Sequence, residues 1–165
     1  VPLLYCRGTT IGSPAAGMIS KQINYDPSRG DDGSLAFAVQ AQANGYGLEW
    51  GQLLTAGKRT DSTATNGTSL DTAAALSFGA QAYLQVFAFT GTSVTVKVQD
   101  SADNSVFADV TGLTFTAATG ITTQRLATLN TATIRRYLRV ATTGTFTNAV
   151  FAVMVVKNEN AGVVF

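Results

Sequence analysis

Within "VKVQDSADNSVFADVTG", residues 96–112, Asp100, Asp103, Asn104 and Asp109 lie within ten positions of one another. Such a group can hold calcium, share a proton for acid/base work, or cap a turn. A calcium loop of the EF-hand type needs carboxylates at alternate positions, a central Gly and a distal Glu. Here no Gly lies between Asp100 and Asp109, and no Glu follows. Asp and Asn between two strand-like runs more simply accept bonds from backbone two residues on, as Asx-turns. A turn is therefore expected, with no metal site and Asp109 already in the next strand.

Glycoside cleavage needs two acids about 5–10 Å apart in a cleft. The two glutamates are Glu49 and Glu159. Glu49 precedes Trp50, so an acid beside a sugar-stacking ring is one reading. The simpler one is a glycine-flanked corner in which Trp50 fills a gap and Glu49 pairs with an arginine or faces water. Glu159 belongs to the tail "KNENAGVVF" and is expected to be solvated. In "IRRYLRV" strand alternation puts Arg135 and Arg139 on one face with Tyr137 between them, and Arg136 with Ile134, Leu138 and Val140. A basic-aromatic stripe can hold anionic glycans or nucleic acid. Arginines on a strand also pair with cross-strand acids or lie over rings. Trp50, Arg135, Tyr137 and Arg139 are the candidates for surface binding.

Histidine is absent and Cys6 is the single cysteine. Ser-His-Asp and Cys-His catalysis, Cys/His zinc sites and intrachain disulfides are thereby excluded. Cys6 is expected to be a buried or half-buried small apolar residue, and the lack of disulfides leans towards assembly in a reducing compartment. "GTTIGSPAAG" matches neither a dinucleotide fingerprint nor a P-loop with its lysine. "SRGDDG" contains Arg-Gly-Asp, which is expected to be a tight solvent-facing turn. These residues give no catalytic set and no cofactor, so the chain is not expected to be an enzyme.

The 165 residues suffice for one domain with a core. Charged residues make up only 13%, about half the usual share of roughly 25%. A surface of Thr, Ser, Gln, Ala and Gly has little charge to desolvate, which suits contact with other subunits. The net charge of +1 gives no basic excess for a phosphate backbone. No window approaches a membrane-spanning apolar run. The chain opens Val-Pro without Met, as expected of a processed, truncated or internal segment.

Strand signals run throughout, with Thr, Val and Phe common and Gly at short intervals. The best helical candidate is "SPAAGMISK", residues 13–21, with Ser13 as cap and Pro14 in the first turn. Residues 18–25 and 33–43 read as a hairpin joined by the loop 26–33. In its second strand Leu35, Phe37 and Val39 alternate with Ala36, Ala38, Gln40 and Gln42, the pattern of a half-buried strand. The Thr-rich stretch 57–74 has no periodicity and reads as a linker between a sheet portion, 1–56, and an antiparallel β-sandwich, 75–165. Strands are expected at 76–89, 93–100, 105–110, 113–117, 123–129, 132–143 and 148–157. The last is nearly all apolar, as for a central strand covered on both faces. The fold class expected is all-β.

"GSLAFAVQAQANGYGLEWGQLLTAGKRTD", "AYLQVFAFTGTSVTVKVQDSADNSVFADVTG", "QRLATLNTATIRRYLRV" and "FAVMVVKN" together resemble the major tail (tail-tube) proteins of tailed bacteriophages, particularly of actinobacterial hosts. The resemblance covers roughly residues 13–157 and is most specific in the second half. The part before the linker is shorter than the tube region usual in that family. The resemblance implies a virion protein, assembled in the host cytoplasm, whose copies join in rings that stack into the tail tube. An outward sandwich would decorate the tube, other tail or capsid proteins would be partners, and DNA would pass through the lumen without specific binding. Arg29, Asp31 and Asp32 in the hairpin loop, with Gln40 and Gln42, would be subunit contacts. The alternative is a capsid-decoration or surface-adhesion protein that binds host glycans.

Overall fold

Two long strands organise the computed structural model, which describes residues 1–161. They are β7, Ala80–Ser101, and β10, Tyr137–Lys157. They pair antiparallel over their whole length, from Tyr137 opposite Ser101 to Lys157 opposite Ala80. Around them lie β1 (Pro2–Cys6), β2 (Pro14–Arg29), β3 (Leu35–Ala43), β4 (Glu49–Leu53), β5 (Arg59–Asp61), β6 (Leu70–Asp71), β8 (Ala108–Thr114) and β9 (Thr122–Ala127). All ten join one antiparallel network, with the spine β1-β2-β4-β10-β7-β8. The protein is all-β, and the described residues contain no helix.

The β7–β10 ribbon folds over at its middle. Gly91 (φ 146°) and Gly144 (φ 122°) adopt backbone that side-chain-bearing residues rarely take. The register shifts on both sides of Phe146, the signature of bulges that bend a ribbon. Leu84 and Val86 from before the bend therefore meet Val94, Val96 and Val98 from after it. They share one core with Leu138, Val140, Phe151 and Val153 of β10, closed by Leu113, Phe115 and Ile134. On the other face of β7, Tyr83 packs with Ala15, Leu53 and Met154. The near-continuous apolar run of β10 is thus covered on both faces, as its sequence implies.

The stretch 57–74 is bound to the sheet at several points. Moving along the chain, Gln52 and Leu53 sit opposite Val155 and Met154, and Arg59–Asp61 opposite Phe151–Ala149. Asn66 bridges Ala141, and Leu70–Asp71 meet Leu138–Tyr137. Residues 52–71 therefore run beside β10 as one interrupted edge strand. Buried Asp61 pins it, accepting bonds from Arg59 Nε (2.8 Å) and Thr142 Oγ1 (2.7 Å).

The helix expected over 13–21 is instead the start of β2. Ala15, Ala16 and Gly17 are buried, flanked by β1 on one edge and β4 on the other. A β-carbon on Gly17 would come within 2.8 Å of the Tyr83 ring. Pairing on both edges overrides the weak helical signal of Ser13, Pro14 and the two alanines. Cys6, expected to be buried or half-buried, is exposed, because β1 is an edge strand that among the described residues pairs with β2 alone.

At Gly51 of β4 there is no room for a side chain, since a β-carbon would lie 2.1 Å from the Val155 carbonyl oxygen. Gly120 has nothing within 4 Å. Gly51→Ala is expected to lower stability by about 2–4 kcal/mol, and Gly120→Ala to stay within about 0.5 kcal/mol. Urea denaturation monitored by circular dichroism checks both. Equal effects would show that the β4–β10 contact is not tight.

Candidate functional site

The hairpin read from the sequence forms, but it projects from the sheet. Every residue from Lys21 to Gln40 is exposed. β2 continues to Arg29 and β3 begins at Leu35, so the expected eight-residue loop shrinks to a tight turn. Gly30 N–H donates to the Ser34 carbonyl (2.8 Å), and Gly33 takes a positive φ of 83°. Asp32 Oδ1 accepts the Ser34 N–H at 2.9 Å, and the Ser34 hydroxyl and N–H hold the Asp32 carboxyl below its ordinary range. Among the described residues, β2 beyond Ser20 pairs only with β3, and β3 only with β2. The arm is thus a two-stranded ribbon with two open edges, extending roughly 30 Å.

Its two faces differ in chemistry. The register places Tyr25 opposite Val39, Pro27 opposite Phe37 and Arg29 opposite Leu35. Directly opposed residues share a face, so these six form one side. On it the rings of Tyr25 and Phe37 stack diagonally, 5.4 Å apart. The other side carries Asn24, Asp26, Ser28, Ala36, Ala38 and Gln40, with Gln42 opposite Lys21 nearer the base. Tyr25, Leu35, Phe37 and Val39 each keep between 51% and 59% of their surface exposed. The half-buried face expected for this strand is therefore uncovered within the chain. An isolated two-stranded ribbon is marginal in water, and contiguous exposed apolar surface marks a contact site.

The residues proposed from sequence as subunit contacts all lie on this arm. Arg29 ends β2, Asp31 and Asp32 sit in the turn, and Gln40 and Gln42 point to the polar side. Among the described residues Arg29 forms no salt bridge with either aspartate. The apolar side was missed, because alternation in Leu35, Phe37 and Val39 reads as an inward face whoever covers it.

The acidic stretch is a turn. Asp103 Oδ1 accepts the N–H groups of Ser105 (2.9 Å) and Val106 (3.0 Å) and the Ser101 hydroxyl (2.8 Å). These donors pull its carboxyl down to about 2. Asn104 takes a positive φ of 61°, which Asn tolerates. Asp109 lies in β8 and meets Lys97 (2.8 Å) and Gln99 (2.7 Å). No group of three metal-ligating side chains gathers among the described residues.

The arginines of the stripe are partnered within the chain. Arg135 clamps Asp100 through its Nε (2.8 Å) and its backbone N–H (2.8 Å). Arg139 lies over the Phe107 ring at 4.1 Å and donates to Gln99. Arg136 pairs with Asp71 at 2.6 Å and lies 5.0 Å from the Tyr137 ring. These contacts give each of the three arginines a partner within the chain.

Glu49 is engaged inside the chain. It is buried, bonded to the Tyr83 hydroxyl, and paired with Arg125 at 2.5 Å. Burial, then Glu49, pushes the Tyr83 phenol well above its ordinary value. Tyr46 covers the guanidinium of Arg125 at 3.9 Å. Trp50, the next residue, faces away and keeps 53% of its surface exposed. No protein-family model matches the chain, and no curated protein matches it.

Arg125→Met strands a carboxylate in the interior and is expected to cost about 3–5 kcal/mol, most of it recovered when Glu49→Gln is added. Urea titrations of the single and double variants read this, and a double variant as weak as the single one would refute the pairing. Asp103 gives a pH signature. An unfolded aspartate titrates near about 3.9, above the folded value of about 2. Its stabilisation is complete above the unfolded value and is lost as pH falls towards the folded one. The melting-temperature gap between wild type and Asp103→Ala should hold steady from pH 7 to about 5 and close between about 4 and 2. A constant gap down to pH 2 would count against the turn carboxylate.

Proposed function

We propose that this is a structural virion protein of a tailed bacteriophage that self-assembles into the stacked rings of the tail tube. The arm carries the reading: twenty consecutive exposed residues, Lys21 to Gln40, that expose an apolar face and two free strand edges. Open edges are ordinarily guarded because they pair with other chains. The β2 side is guarded by Lys21, Asp26, Pro27 and Arg29, but β3 carries no charge from Leu35 to Ala43, and the apolar face adds a reason for burial. A second copy supplies both a strand edge and an apolar cover. Head-to-tail contacts of this kind close into rings when the rotation closes. The weakly charged surface supports the same reading, since copies meet with little charge to desolvate. The resemblance to tail-tube proteins gives the assembly its identity.

Purified protein is expected to sediment as oligomers at high concentration and to show rings or tubes with a central channel in negative stain. Phe37→Glu combined with Tyr25→Ser should yield monomers whose melting curve is nearly that of wild type, because neither side chain reaches a core. Asp31→Lys with Asp32→Lys should likewise impair assembly without changing the melt. A wild-type protein that stays monomeric at every concentration, with no particles in the images, would overturn the proposal.

A further inference from the structure

The sheet opens beside Trp50. Pairing of β10 with β4 stops at Val155 opposite Gln52. β4 nevertheless continues back to Trp50 and Glu49, held by Ala16 and Gly17 of β2. β10 continues on to Lys157, held by Ala80 of β7. Two strands of one sheet thus part company while each keeps its other neighbour. Two adjoining cavities, about 350 and 240 Å³, occupy the opening, and Trp50, Lys157 and Glu159 line both.

We propose that this notch binds a neutral saccharide, with the apolar face of a sugar ring laid on Trp50. Three observations lead there. Trp50 is about half exposed, with Leu48 beside it at 52%. A large exposed ring over a cavity offers an apolar platform, and a pyranose presents C–H groups on one face with hydroxyls around its rim. Second, Gln81 and Asn158 line the smaller cavity and are 8% and 4% exposed. Gln81 Oε1 and Asn158 Oδ1 have no hydrogen-bond partner among the described residues. Buried acceptors are costly to leave unpaired, and both residues border the cavity in which a hydroxyl would be offered. Apolar lining with a few convergent polar groups is the usual make-up of a ligand site. Third, the charges select against acidic sugars. Lys157 Nζ is spent on Thr72 Oγ1 (2.7 Å) and the Ala74 carbonyl (2.6 Å). Glu159 is exposed and forms no salt bridge among the described residues. A uronate or sialate would meet that carboxylate without a free cation to offset it. With Glu49 locked on Arg125, the site binds and does not cleave.

Trp50 is the chain's one tryptophan, so its fluorescence reports the site directly. Chitotriose and maltotriose are the neutral probes, and trigalacturonate is the acidic one. At least one neutral trisaccharide should give a saturable emission change, with Kd of about 1 mM or tighter. Trigalacturonate should give none with wild type and a measurable one with Glu159→Gln. Calorimetry should show affinity for the neutral sugar falling at least about tenfold in Trp50→Ala and less in Trp50→Phe, both with wild-type melting curves. The proposal fails if neither neutral sugar saturates the signal, or if trigalacturonate binds wild type as well as they do. It fails too if Trp50→Ala disrupts oligomers, which would make the notch a subunit contact. Arm variants leave the notch intact, so sugar binding by Phe37→Glu monomers separates this inference from the assembly reading.

Discussion

Everything in this fold hangs on the hydrogen-bond ladder between β7 and β10. At 22 and 21 residues, both strands are several times the usual length of about 5–6. A ribbon of that length cannot stay flat, because strands twist. Here two glycines and a pair of bulges turn the twist into a fold-over, and the fold-over makes the core. Other strands attach to what remains exposed of the ribbon: β9 and β8 along β7, and β4, β5 and β6 along β10. The arm is reached only through β2, the most distant paired strand to carry a buried segment. The molecule is thereby divided into a well-packed body and an uncovered extension.

The body was largely legible in the sequence. Val94, Val96 and Val98 alternate as a half-buried strand should, and all three are in the core. The run Asn148–Lys157 is apolar at nearly every position, and the strand is covered on both faces. Asp103 and Asn104 fall between strand-like runs, and turn chemistry followed from their spacing alone. The pairing alternatives for Arg135 and Arg139 were also readable, since a nearly neutral chain offers each arginine an acid or a ring; the pairing of Arg136 with Asp71, 65 positions away, was not.

What was illegible depended on partners remote in sequence. The segment 57–74 has no periodicity because it is held by short backbone pairings interrupted by single side-chain contacts, such as Asp61 with Thr142 and Asp71 with Arg136, whose partners are remote in sequence. Ser13–Lys21 has a helical start signal, and only the presence of β1 and β4 on either edge makes it a strand. The notch at Trp50 depends on where one pairing stops, which no local pattern encodes. The arm shows a deeper limit. Alternation reveals that one side of a strand is apolar, but not whether its cover comes from the same chain.

The direction of β2 has a mechanical consequence. Its first half lies between β1 and β4, antiparallel to both, and its second half runs outward as the arm. Tension applied to the arm along its axis therefore acts parallel to these strands. The ladders on both sides of Ala15–Gly17 are then loaded in shear, all rungs together, and not peeled one rung at a time. A projecting element anchored this way passes a pulling force straight into the body of the sheet.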